Sequence, residues 1–369
     1  MKYLDEFRNK AAAKRLASRI SSEVGEGEVT LMEVCGTHTM AVHRYGIKGL
    51  LPPNIRLLSG PGCPVCVTSN RYIDKAIAYS KQSDVILTTF GDMVKVPGSR
   101  SSLAREMSRG ADVRIVYSTT DALKIARDNT ERKVIFLGVG FETTVPTVAT
   151  SILEADRMGM KNYFVLSAHK LIPPAMKALL DGGELKIDGF ICPGHVSTIT
   201  GTQVYEFIPR NYRVPCVVAG FEPVDIMQAI YTLVQQITRG IAEVANQYRR
   251  AVRKEGNPKA REVIYEVFEP SDSDWRGIGV IPQSGLMIRQ RYRKYDAEAN
   301  IDVEIEPSAE NPRCICGAIL RGVKEPLECT LFGSLCTPEH PKGACMVSSE
   351  GTCAAYYNYG RQMPKKPEG

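Results

Sequence analysis

Val134-Ile-Phe-Leu-Gly-Val-Gly-Phe-Glu-Thr-Thr-Val-Pro-Thr-Val-Ala-Thr-Ser-Ile-Leu-Glu-Ala-Asp-Arg-Met158 is a β-branched and aromatic run, a glycine-containing turn, and then apolar residues at helical spacing. Such an order is one strand followed by one helix. The next apolar run, at 163–167, comes soon after the helix, so the unit reads as a crossover between parallel strands. The alternation continues in both directions from about residue 28 to 241. It predicts strands at 29–34, 55–59, 85–89, 113–117, 134–139, 163–167, 189–192 and 214–219, and helices at 72–81, 102–108, 120–128, 147–158, 173–180 and 224–248. Eight strands exceed one small sheet, so the expectation is an α/β fold with two Rossmann-like lobes of parallel sheet, at 1–131 and 132–248.

Three strand ends resemble one another: Thr89-Phe-Gly-Asp92, Gly140-Phe-Glu-Thr143 and Gly220-Phe-Glu-Pro223 each place Phe, Gly and a carboxylate where a strand should stop. Open α/β sheets bind ligands beyond these carboxyl ends. The charged, Gly- and Pro-containing stretch 249–258 has the character of a linker. Beyond it lie the single tryptophan, Trp275, an alternating segment at 297–305 and a cysteine-rich tail, which together are expected to form a third, mixed domain at 249–369.

Composition narrows the function. Apolar residues make up 43% and charged residues 24%, which excludes disordered and collagen-like classes. The 47 basic and 41 acidic residues are interspersed, a balance too mild to argue for nucleic acid. The run Arg289-Gln-Arg-Tyr-Arg-Lys-Tyr295 reads as a solvated or partner-facing surface rather than an RNA strip. No apolar run is long enough for a membrane helix, so no membrane association is expected. Residues 1–20 lack a secretory apolar core and read as a surface helix of a cytoplasmic protein.

Cysteine is the strongest signal. There are 11, an odd number that favours metal or redox chemistry over a disulfide framework. In Glu33-Val-Cys35-Gly-Thr-His38 a thiol at a strand end faces the inter-lobe space, with a His placed to lower its pKa or share a metal. In Gly60-Pro-Gly-Cys63-Pro-Val-Cys66 the C-x-x-C spacing suits a disulfide, a redox dithiol or bound iron, and a zinc site would need Cys35 and His38 as further ligands. Cys314, Cys316, Cys329, Cys336, Cys345 and Cys353 crowd the tail: four thiols suit an iron–sulfur cubane and two remain for a dithiol couple, although spacing does not say which. Cys192-Pro-Gly-His195 could offer a ligand pair, Cys216 reads as core, and Gly138-x-Gly140-x-x-Thr143 lacks the third glycine of a dinucleotide fingerprint.

Cys35-Gly-Thr-His38, Gly60-Pro-Gly-Cys63-Pro-Val-Cys66, Phe90-Gly-Asp92, Gly140-Phe-Glu-Thr-Thr144, Pro193-Gly-His-Val-Ser197 and the Cys314 to Cys353 tail together resemble the HypD family of hydrogenase maturation proteins, over nearly the whole chain. The resemblance implies a scaffold on which the Fe(CN)2CO unit of [NiFe]-hydrogenase is assembled, together with the small chaperone HypC and with cyanide delivered by HypE. It further implies a [4Fe-4S] cluster on Cys314, Cys329, Cys336 and Cys353, and a redox couple of Cys316 and Cys345 resembling that of ferredoxin:thioredoxin reductase. Cys35 would bind the iron, Cys63 and Cys66 would form a second thiol couple, and His38, Asp92, Glu142, Thr143 and His195 would line the cleft. Two alternatives stand beside it: a free-standing cluster-dependent thiol oxidoreductase, and a nonredox zinc protein that only binds partners.

Overall fold

The strands are β1 (Val29–Glu33), β2 (Ile55–Ser59), β3 (Val85–Thr89), β4 (Val113–Ile115), β5 (Lys133–Gly138), β6 (Tyr163–Ser167), β7 (Gly189–Pro193), β8 (Cys216–Ala219), β9 (Val244–Asn246), β10 (Phe268–Trp275) and β11 (Gly279–Ile288) in the computed structural model, which describes residues 5–360. All eight expected strands are present. With β9, which was not expected, they form two parallel sheets, ordered β2-β1-β7-β8-β9 and β4-β3-β5-β6, and β10-β11 is an antiparallel hairpin. Every residue of β1 and β3 is buried, the continuous apolar pattern of strands covered on both faces.

The lobes do not follow the expected boundary at 131/132. The first sheet takes two strands from residues 29–59 and three from residues 189–246, while the second lies wholly within 85–167. Leu31 pairs with Gly189 across this long interruption. Gly189 permits the pairing to be covered closely, since a Cβ there would stand 3.1 Å from both Leu31 and Leu233. Sequence alternation reports strands but not which sheet each joins, so the sequential division failed.

The helix expected at 224–248 is shorter. It spans Pro223–Thr238, Gly240 then takes a positive φ of 66°, and β9 adds an edge strand. The expected N-terminal helix covers Lys10–Glu23; Ala13 and Ile20 are buried as it packs against Pro223–Thr238. Residues 1–4 of that expectation lie outside the described residues.

The segment after 249 is not a separate body. Helix Pro258–Val267 packs on helix Val145–Arg157, and Phe268, Leu286 and Ile288 of the hairpin enter one core with Val134 and Phe136 of β5. Tyr292 and Tyr295 join that core at 1% exposure each, so the aromatics of the basic run are packing residues, not a surface strip. The alternating segment expected at 297–305 holds only the short helix Ala297–Asn300. No helix among the described residues is long and apolar enough to cross a membrane.

Candidate functional site

The carboxyl ends of the two sheets face a shared cavity of about 290 Å³. From the first sheet come Cys35 after β1, Gly62, Pro64 and Val65 after β2, and Pro193 at the end of β7 with His195 just beyond it. Phe90 and Asp92 follow β3, and Gly140, Phe141, Thr143 and Thr144 follow β5. The cavity therefore sits where open α/β sheets bind ligands.

Cys35 precedes helix Gly36–Arg44 in extended conformation and is 7% exposed, with its remaining surface on the cavity. Its N–H donates to Glu33 Oε2 at 3.0 Å. Burial, aided by the nearby Glu350 carboxylate, pushes its thiol up to about 12. Glu33 is itself buried, accepts the Thr39 hydroxyl, and is raised to about 8 by desolvation. The thiol is thus protonated at neutral pH until a cation, such as a soft metal ion, favours the thiolate.

The C-x-x-C loop is packed directly on this cysteine. Gly36 N donates to Gly62 O at 2.8 Å, and a Cβ on Gly62 would fall 2.1 Å from Cys35 N. Cys63 and Cys66 form a disulfide, buried behind the wall that Gly62, Pro64 and Val65 present. His38 turns away, its Nε2 bonded to Gly220 O at 2.9 Å. These four side chains therefore do not converge as a zinc quartet.

His38 and Glu142 do not line the cavity, contrary to expectation. His38 is fully buried against Phe221, and desolvation lowers it to about 4. Phe221 also meets His195, at 4.0 Å between ring centroids, so one ring connects the buried histidine to the one on the wall. Burial raises the Glu142 carboxyl to about 7; one of its oxygens accepts Ile172 N and the other has no hydrogen-bond partner among the described residues. Asp92, Thr143 and His195 are on the wall as expected. Cys192 and Cys216 are fully buried in the core, which removes Cys192 as a partner for His195.

Sequence reasoning missed the contribution of the tail. Ser348 and Glu350 complete the wall: Ser348 Oγ donates to Asp92 at 2.7 Å and Thr37 Oγ1 donates to Glu350 at 2.5 Å. Glu350 lies so close to Gly36 that a Cβ there would be 2.5 Å from its own. Nothing in their local sequence marks either residue. Phe221 did carry a signal, in the repeated strand-end motif.

All six tail cysteines gather around a second, smaller cavity. Cys316 and Cys345 place their sulfurs 2.8 Å apart, and Cys314, Cys329, Cys336 and Cys353 occupy the rest of the wall with Leu331, Phe332 and Met346. A Cβ on Gly343 would come 2.7 Å from Cys314 Sγ, so the glycine keeps the space beside that sulfur open. Soft donors in an apolar enclosure fit an iron–sulfur cluster. No three His, Cys, Asp or Glu among the described residues converge as a single-ion site, and a cubane does not require that because each thiolate binds a different iron.

Fold and site define a two-sheet α/β protein with one cleft cysteine and a separate nest of six thiols. A family model described as "Hydrogenase formation hypA family", HypD, matches residues 11–360. The chain belongs to the HypD family of hydrogenase maturation factors. It is 50% identical to hydrogenase maturation factor HypD2 of Bradyrhizobium diazoefficiens, over 98% of this chain and 97% of the relative. It is also 50% identical to hydrogenase maturation factor HypD of Azotobacter vinelandii, over 98% of each. Identity to the HypD of Cupriavidus necator is 48%, again over 98% of each.

Proposed function

We propose that this hydrogenase maturation factor is a cytoplasmic scaffold that holds the iron of the Fe(CN)2CO unit at Cys35 while its diatomic ligands are installed. The observation that carries the reading is the single cysteine at the mouth of β1, on the wall of a cavity sized for a small metal complex. A soft thiolate suits low-spin iron with cyanide and carbonyl ligands. Both sheets and the tail wall the cavity, and Asp92, Thr143 and His195 offer hydrogen bonds to the bound complex. The open side of the cavity would receive a HypC-type chaperone, whose own thiol completes the iron's coordination, and HypE would supply cyanide.

Cys314, Cys329, Cys336 and Cys353 would hold a [4Fe-4S] cluster, leaving Cys316 and Cys345 as the dithiol couple. When bound, that cluster supplies electrons singly. Cys316 and Cys345 store a pair, since closing their 2.8 Å gap to a disulfide releases two electrons and two protons. The Cys63–Cys66 disulfide is the corresponding acceptor beside Cys35.

Infrared spectroscopy of the anaerobically purified complex with the chaperone tests this. Iron-bound cyanide and carbonyl stretches are expected in wild type and absent in Cys35→Ser; their persistence in that variant would remove Cys35 from the role. The Cys316–Cys345 contact also suits the free-standing oxidoreductase. That reading predicts disulfide turnover without the chaperone and no dependence on Cys35.

A further inference from the structure

A third cavity, of about 730 Å³, opens on another part of the surface and reaches Cys314, Cys316 and Gly343 from outside the thiol nest. Two buried polar groups on its wall are unsatisfied. Arg276, 5% exposed, donates from Nε to Thr68 O at 2.8 Å and from its backbone N–H to Val67 O at 2.9 Å, yet its Nη2 has no hydrogen-bond partner among the described residues. Asn70, 7% exposed, donates to Ala309 O at 2.7 Å while its Oδ1 has no hydrogen-bond partner among the described residues. The Arg276 guanidinium and the Asn70 amide thus stand side by side in the lining of one cavity, chemistry that suits a ligand with an anionic group and an N–H or O–H.

The charge around them agrees. Lys95, Arg105 and Lys342 are exposed on the same wall, against Glu310 and Glu339; Arg100 is there too, paired with Glu306. A volume of this size suits a small molecule rather than a polypeptide. Its wall includes Cys316, the member of the dithiol couple that both cavities share.

We propose that this cavity binds a small carboxylate-bearing thiol and presents its sulfur to Cys316. The inference rests on the reading of Cys316 and Cys345 as a cycling couple. With the couple oxidised, the incoming thiolate attacks Cys316 Sγ, the Cys316–Cys345 bond breaks, and Cys345 leaves as a thiolate and takes up a proton. A second thiol attacks the ligand's sulfur in the mixed disulfide, which frees Cys316 as a thiol. Two small thiols are oxidised to one disulfide, and the protein gains the corresponding two electrons and two protons.

The test uses full-length, anaerobically purified protein with its iron and sulfide. Alkylation of Cys316 by iodoacetate and by iodoacetamide is followed by mass spectrometry. The anionic-to-neutral rate ratio at Cys316 should exceed that of free cysteine by about fivefold. It should fall toward the free-cysteine ratio in Arg276→Gln and, because Arg276 also tethers the loop after Cys66, in the surface double variant Arg105→Gln/Lys342→Gln. A ratio equal to free cysteine's, a ratio indifferent to the surface variant, or no alkylation by either reagent overturns the site. Mercaptosuccinate should then reduce the oxidised couple faster than mercaptoethanol at equal thiolate concentration, and equal rates overturn the assignment of a thiol ligand. Hydrogenase maturation in Cys316→Ser is scored separately: if it persists, the couple's role in maturation falls while the charge selectivity of the cavity stands or falls on its own ratio.

Discussion

Glu33 closes β1 with a carboxyl that is 1% exposed, and Glu142 sits behind the cavity at 4%. Burial raises them to about 8 and about 7 from an ordinary 4.5, so in the folded protein at neutral pH Glu33 is largely protonated and Glu142 about half so. Each binds its proton more tightly folded than unfolded. Their contribution to stability is therefore whole below about pH 4.5 and is lost as pH rises through about 7 to 8. His38 works in the other direction: held to about 4 against an ordinary 6.5, it withdraws stability as pH falls through that interval. His43 and His169, also buried and held to about 3, act with His38, so urea midpoints should decline only above about pH 6.5, where the histidines are neutral in both states, up to about pH 8, and that decline should be shallower in Glu33→Gln. An identical slope in that variant would mean the carboxyl is not buried as a neutral acid. At Gly62 the contact is steric: the added Cβ of Gly62→Ala meets the Cys35 backbone, which cannot swing aside. The substitution should cost roughly 1–3 kcal/mol and abolish maturation, measured by denaturant unfolding and hydrogenase activity.

At the scale of elements, the hairpin β10-β11 joins the lobes. Trp275 is fully buried, donates from Nε1 to Ser284 Oγ at 2.7 Å, stacks on Phe141 and forms a bridge with Thr68 just after the C-x-x-C loop. Lys170 reaches the same hairpin, donating to Ser273 and to the Asp274 carbonyl. Trp275→Ala should destabilise by about 3–5 kcal/mol, read by circular dichroism in urea, because it removes a large core side chain and takes away the N–H that Ser284 Oγ accepts, although that hydroxyl still donates to Ile281 O. A loss below about 1 kcal/mol would show that the hairpin does not depend on this anchor. Strand positions could be read in advance because each is a short β-branched run bounded by turns. The hairpin could not: Glu269, Pro270, Ser271, Asp272, Ser273 and Asp274 make β10 polar along most of its length, with burial confined to its ends.

For the whole molecule, the interleaved sheets make the halves interdependent. β7 lies between β1 and β8, so residues 1–131 alone would lack the strand that covers β1 and would expose the inner edge of that sheet. A fragment ending at residue 131 should be largely unfolded by circular dichroism and amide exchange, whereas the intact chain should protect β1 and β7 alike; an independently folded fragment would contradict this. Chain order alone decided much about this protein: the eight parallel strands, the turns that carry the cleft residues, and the three groups of cysteines are all local patterns set by side-chain period and spacing. Tertiary structure decided the rest. Which strands share a sheet, that His38 faces Gly220 and not the cleft, that Ser348 and Glu350 wall the Cys35 cavity, and that Arg276 ends beside Cys316 all depend on contacts between residues far apart in sequence. Such contacts are chosen by shape and burial in three dimensions, and no local period encodes them.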